Sequence, residues 1–263
     1  MNEYEQFLEN KKKRIIESGI DITDEQLSDK LFDFQKYCVK RALKVGKFAL
    51  FEDCGLGKTL QQIEWAKHVS ENTNKPVLIL APLGVVQQTI QEGIKFGYEI
   101  KEISINVFDS NLEGIYITNY ENLDNIESRL FSGIVLDESS ILKNFDGKTK
   151  QKIIDEFIQT PYKLACTATP SPNDTMELCN HAEFLGVMNR NEMLAMYFVH
   201  DGGSTSSWRL KGHAVNEFWD FVSTWAVMLC NPSDIGFDGA KYILPNLNII
   251  EKIVDTKKRD NGM

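Results

Sequence analysis

A chain of 263 residues with 42% apolar and 25% charged residues is long enough for one large folded unit and too ordinary in composition for disorder. No apolar run approaches the roughly 18–20 residues needed to span a bilayer, and the first residues are acidic and polar, so neither a membrane nor a secreted protein is expected. The net charge of −9 argues against a surface that is basic all over, so any nucleic-acid contact must be local.

The five cysteines (Cys38, Cys54, Cys166, Cys179, Cys230) are odd in number and widely spaced. They fit free thiols in a reducing cytosol better than a disulfide frame or a zinc site. His68, His181, His200 and His213 show no ligand spacing with one another or with the cysteines.

In chain order, residues 3–18 read as a polar helix. Its basic run Lys11-Lys12-Lys13-Arg14 alternates with Glu5, Glu9 and Glu17 and reads as a solvated face. A short helix is expected near Thr23, then a longer one from Asp33, with Phe34, Tyr37, Cys38, Ala42 and Val45 at helical spacing up to Gly46. Short apolar runs follow at 48–51, 77–80, 115–117, 134–136 and 163–166, most separated by stretches long enough for a helix. Continuous apolar strands alternating with helices indicate an α/β fold with a mostly parallel sheet covered on both faces, and ligands in such sheets sit beyond the strands' carboxyl ends. Beyond about Leu185 the alternation fades. Residues 190–198 look helical, 201–207 read as a turn, and Trp208-Arg209-Leu210-Lys211 beside it fits an exposed hairpin, a lobe insertion or a nucleic-acid contact. Val215, Phe218, Trp219, Val222, Ala226 and Leu229 form a helical stripe that, with Trp225, reads more readily as core than as a base-stacking surface.

The chemical residues cluster directly after the apolar runs. Asp53-Cys54-Gly55-Leu56-Gly57-Lys58-Thr59-Leu60 leaves the run 48–51 and opens an amphipathic helix. Glycines let backbone N–H groups approach phosphates, and a helix N-terminus adds positive potential. In that setting Lys58 reaches the β and γ phosphates and the Thr59 hydroxyl ligates Mg²⁺. The run 134–136 delivers Asp137 and Glu138, the first suited to hold hydrated Mg²⁺ and the second to orient and deprotonate an attacking water.

The acidic start at Glu52, where the general phosphate loop has glycine, resembles motif I of superfamily 2 helicases, in particular Snf-type DNA translocases. Asp137-Glu138-Ser139-Ser140 resembles motif II, with Ser140 in place of the usual acid or imidazole that links to the next motif. Ile141-Leu142-Lys143-Asn144 resembles the segment trailing it, in a form familiar from phage-encoded relatives. Thr167-Ala168-Thr169-Pro170 resembles motif III, so Thr167 and Thr169 carry the coupling of hydrolysis to nucleic-acid binding. Phe34-Gln35-Lys36-Tyr37 resembles the Q motif, and the Gln35 amide, one donor and one acceptor, matches the N6 and N7 edge of adenine. Phe32 is a candidate for stacking on the base. Motifs Ia and Ib are matched by Ala81-Pro82-Leu83 and Thr118-Asn119-Tyr120, which places Pro82, Leu83, Thr118 and Tyr120 at a nucleic-acid backbone.

The resemblance implies a P-loop, RecA-like lobe that binds ATP and Mg²⁺, with duplex DNA as partner. The organisation expected is a helical extension (1–30), the ATP-binding lobe (31–185), a mainly helical appendage (186–243) and a linker (244–263) toward an absent second lobe, with 243–250 as the leading strand. A split motor or a shortened gene would then draw its arginine finger from elsewhere. Two functions follow: the first lobe of a helicase or translocase, or a nucleotide-gated module with little hydrolysis. A kinase or small GTPase would leave the later motifs as coincidences.

Overall fold

The structure, a computed structural model, describes residues 17–103, 113–143, 147–200 and 208–243, with residues 250 and 252. The helix expected over 3–18, the basic run at 11–14, Asn144, the turn at 201–207 and the strand over 243–250 lie wholly or mainly outside the described residues.

All five apolar runs are strands. They are β1 (Lys47–Glu52), β2 (Val77–Ala81), β4 (Ile115–Asn119), β5 (Gly133–Asp137) and β6 (Tyr162–Thr167). With β3 (Ile100–Glu102) and β9 (Ala226–Leu229) they form one seven-stranded sheet in the order β3-β4-β2-β5-β6-β1-β9. Every pairing in it is parallel. Parallel strands need crossovers, and the helices provide them: α1 (Asp33–Val45), α2 (Lys58–Thr73), α3 (Leu83–Phe96), α4 (Lys148–Glu156), α5 (Leu178–Leu185), α6 (Arg190–Tyr197) and α7 (Val215–Trp225).

The strand residues divide cleanly between the two faces. Leu50, Ile79, Ile117, Val135 and Cys166 pack with α1 and α2, whereas Ala49, Phe51, Leu80, Leu136 and Ala165 pack with α5 and α7. Residues opposite each other in parallel register share a face, so this division fixes which way each strand-end side chain points. Under α2, the buried Glu64 carboxylate accepts from the Ser28 N–H at 2.8 Å, meets His68 Nε2 at 3.1 Å and accepts from the Tyr98 hydroxyl. That cluster anchors α2 to its neighbours.

The C-terminal third departs from its expected course. The helical stripe does not run to Leu229: α7 ends at Trp225, and Ala226–Leu229 turns into β9 alongside β1. Ala226 and Leu229 fit helical spacing as well as strand spacing, so periodicity does not separate the two. The open edge of β1 does, because a strand there satisfies backbone groups that a helix leaves bare. Phe218 and Trp225 are fully buried, while Trp219 is 39% exposed. The hairpin reading of Trp208–Leu210 holds. Here β8 pairs antiparallel with β7 (Phe198–His200), and the Lys211 ammonium donates to the Ala195 and Met196 carbonyls at the end of α6.

Candidate nucleotide site

The candidate phosphate loop leaves β1 as a tight curl. Gly55 and Gly57 have φ of +86° and +77°, and a Cβ on Gly57 would stand 2.4 Å from Gln35 Nε2, so only glycine fits there. Lys58, the first residue of α2, folds back over the curl and donates to the carbonyls of Glu52 at 2.7 Å and Asp53 at 3.1 Å. The outer side of the loop is tied to β9 by the Asp53 N–H, which donates to the Leu229 carbonyl at 2.8 Å. Cys54 is exposed, Leu56 and Leu60 are buried beneath the loop, and Thr59 is half-buried on the first turn.

Two glutamines not singled out in the sequence complete this region. Gln61 Nε2 donates to Glu52 Oε2 at 2.6 Å, and Gln62 Nε2 donates to Asp137 Oδ1 at 2.8 Å. Glu52 is fully buried, and burial pushes its acid up to about 7 against the opposing pull of Gln61 and Lys58. Their signal was faint: four residues after Gly57 and Lys58, they lie one helical turn above the loop.

β6 lies between the loop's strand and β5, and the register sets Asp137 level with Cys166 and Leu50. Asp137 therefore faces α2. It is nearly buried, and burial raises its acid although Gln62 and the Lys58 ammonium pull it down. The half-buried Thr59 hydroxyl and the Asp137 oxygen not held by Gln62 are hard oxygen donors, a set that suits Mg²⁺.

Glu138 is exposed and has φ of +56°, one of two non-glycine residues in the left-handed region among the described residues. That conformation costs about 1–3 kcal/mol and persists only where the surroundings impose it. Its carboxylate accepts from the buried Thr167 hydroxyl at 3.2 Å, and that oxygen in turn accepts from the Thr169 N–H at 3.1 Å. Thr167 and Thr169 thus sit against the end of β5. Ser140 makes no side-chain hydrogen bond to a described residue. The neighbouring Ser139, fully buried, meets His181 Nε2 at 3.1 Å instead. The hydroxyl link is therefore one residue earlier than expected and runs to an unforeseen histidine.

Gln35 is buried, not presented on the helix surface. Its amide oxygen accepts from the Phe32 N–H at 3.0 Å and its nitrogen donates to the Leu56 carbonyl at 2.8 Å. Each group keeps one further hydrogen-bonding position. Phe32 is 57% exposed with Tyr242 edge-on at 6.4 Å, whereas Phe34 is core.

The expected nucleic-acid residues divide. Pro82 and Leu83 open α3, with Leu83 66% exposed. Thr118 and Tyr120 are buried: the Thr118 hydroxyl donates to the Ile103 carbonyl at 2.7 Å and the Tyr120 hydroxyl to the Asp137 carbonyl at 2.6 Å. Both hydroxyls brace neighbouring backbone and present no surface to a duplex.

A parallel sheet whose carboxyl edge gathers a glycine loop, paired strand-end carboxylates and a threonine link defines the N-terminal RecA-like lobe of a superfamily 2, Snf-type helicase. The family model described as the SNF2-related domain matches residues 35–194, more than half the chain, and the chain belongs to that family. It is 27% identical over 175 residues to protein p41 of Acyrthosiphon pisum secondary endosymbiont phage 1, covering 58% of this chain and 38% of the relative. It is 28% identical over 158 residues to the ATP-dependent DNA helicase DDM1 of Arabidopsis thaliana, covering 52% of this chain and 20% of the relative. The chain thus spans well under half the length of these relatives.

Among solved structures, the Sulfolobus solfataricus SWI2/SNF2 ATPase core in complex with dsDNA superposes with a TM-score of 0.61 at 22% identity, covering 79% of this chain and 46% of that one. The UvsW helicase of bacteriophage T4 gives 0.54 at 17%, covering 71% and 74%. At such identities the likeness concerns the fold. No helix among the described residues is long and apolar enough to cross a membrane.

Proposed function

We propose that this chain is the ATP-binding first motor lobe of a DNA translocase or helicase, hydrolysing ATP with Mg²⁺ and coupling that step to duplex DNA. The observation that carries the reading is Glu138: exposed, held in a strained backbone conformation at the end of β5, and joined to Thr167. An acid placed that way serves as a base toward water better than as a structural cap.

In this reading Lys58 exchanges its two loop carbonyls for the β and γ phosphates, and the N–H groups around Gly55 and Gly57 line the phosphates. Gln35 reads the adenine edge while keeping its hold on the loop. Thr59 and Asp137 would hold the Mg²⁺, which would neutralise charge on the phosphates. Glu138 orients the attacking water and takes its proton, and Thr167 keeps the carboxylate in place. Pro82 and Leu83, at the exposed start of α3, belong to the DNA face. Because the relatives are longer than the match, a second RecA-like lobe supplying an arginine is part of the proposal; such a residue contributes about 10³–10⁵ in rate.

Phosphate release is measured with duplex DNA, alone and with an added second-lobe polypeptide. The reading requires DNA-stimulated release that Glu138→Gln abolishes while Mg·ATP binding survives. Binding without release under any of these conditions would leave only a nucleotide-gated module.

A further inference from the structure

Glu138 stands between β5 and a short 3₁₀ helix over Ser139–Lys143, and its carbonyl accepts from the Ile141 N–H at 3.2 Å, so the residues flanking it set its left-handed conformation. On the N-terminal side the Tyr120 hydroxyl fixes the Asp137 carbonyl at 2.6 Å. On the C-terminal side the contacts come from α5. His181 Nε2 meets the buried Ser139 hydroxyl at 3.1 Å, and Asn180 Nδ2 donates to the carbonyls of Leu142 at 2.9 Å and Lys143 at 3.2 Å. The His181 ring is fully buried and stands edge-on to Phe51, with centroids 5.0 Å apart. Phe51 is the residue before Glu52, and Ser139 is the residue after Glu138. One imidazole therefore touches the strand that launches the phosphate loop and the turn that carries the hydrolytic acid.

We propose that His181 is a positioning residue for Glu138, acting through the Ser139 hydroxyl, and that α5 is the element through which motif III governs the acid. This rests on the reading of Glu138 as the hydrolytic base. The chain runs from Thr169 through the turn at 170–177 directly into α5. A displacement of that segment when nucleic acid engages is thereby delivered to the backbone of Glu138 by His181 and Asn180, and to its carboxylate by Thr167. Ser140 makes no such link to a described residue, and the Ser139–His181 contact gives a motif II lacking the usual acid or imidazole at its fourth position a connection to the segment after motif III.

The test uses the full chain with Ser139→Ala, His181→Phe, the double variant and His181→Gln. Each of the first two lowers kcat of DNA-stimulated release by roughly 10–100-fold, the loss expected for a misplaced group. Mg·ATP affinity stays within about threefold, and the double variant is no worse than either single, as for residues on one path. The His181→Gln amide, able to bond the serine hydroxyl, recovers part of the rate. Backbone amide resonances of Glu138 and Thr167 move in both single variants, while those of Gly55 and Gly57 stay in place. Unmoved Glu138 and Thr167 resonances would overturn the proposal even where hydrolysis is seen. So would additive losses that merely follow a lowered melting temperature. Moved resonances in a protein that never hydrolyses ATP would fault the hydrolytic reading and leave the positioning intact.

Discussion

Glu52 and His181 titrate in opposite senses across one pH interval. Burial lifts Glu52 from 4.5 to about 7, so the unfolded chain ionises first and the folded state loses stability as pH rises from about 4.5 to 7. Burial lowers His181 from 6.5 to about 4, outweighing the carbonyls of Glu177 and Ser139, so the folded state loses stability as pH falls from about 6.5 to 4. Each effect is on the order of 3 kcal/mol across its window. Chemical denaturation at pH 4.5, 5.5 and 6.5 should show Glu52→Gln becoming less stable relative to wild type as pH falls, with His181→Phe sloping the other way. Parallel profiles for all three proteins would contradict both assignments. Gly57→Ala, forced into a positive φ against Gln35, should cost about 1–3 kcal/mol and weaken ATP binding at least tenfold by titration. The gathering of Lys58, Asp137, Glu138 and Thr167 at one sheet edge was legible in the sequence because their spacing behind strands is itself the signal. Gln61, Gln62 and His181 were not, since a helix glutamine or histidine looks the same facing solvent or facing a buried acid. Thr118 and Tyr120 were misplaced for the same reason: a hydroxyl after a strand does not announce whether it points outward.

Among the elements, β9 and α7 carry the most structural consequence for the site. Trp225 is fully buried with its ring 6.3 Å from Phe51, so α7 clamps the strand that leads into the glycine loop, and β9 holds the loop through Asp53. Trp225→Ala should cost about 3–5 kcal/mol in denaturant unfolding and weaken nucleotide binding with it. Trp219→Ala, at a half-exposed position on the same helix, should change stability by no more than about 0.5 kcal/mol. Equal losses would mean that α7 does not support β1. The five central strands were readable as continuous apolar runs because they are buried on both faces. The edge strands were not: in Ile100–Glu102 only Ile100 is buried, and Ala226–Leu229 shares its spacing with a helix.

At the scale of the molecule, a wholly parallel sheet brings the ends of β1, β5 and β6 to one edge, and the site residues lie on that edge although their sequence positions are far apart. The net charge of −9 leaves no general attraction for nucleic acid, so DNA binding in this account is local and tied to nucleotide occupancy. Everything proposed for the chain depends on Lys58 and its loop gripping ATP while Glu138 acts only afterwards. Titration calorimetry of Mg·ATP into the wild type, Lys58→Ala and Glu138→Gln tests this most directly. Wild type and Glu138→Gln should bind with affinities within about threefold of each other, and Lys58→Ala at least tenfold more weakly. A wild type that does not bind Mg·ATP, or a Lys58→Ala variant that binds it as well as wild type, would contradict the account.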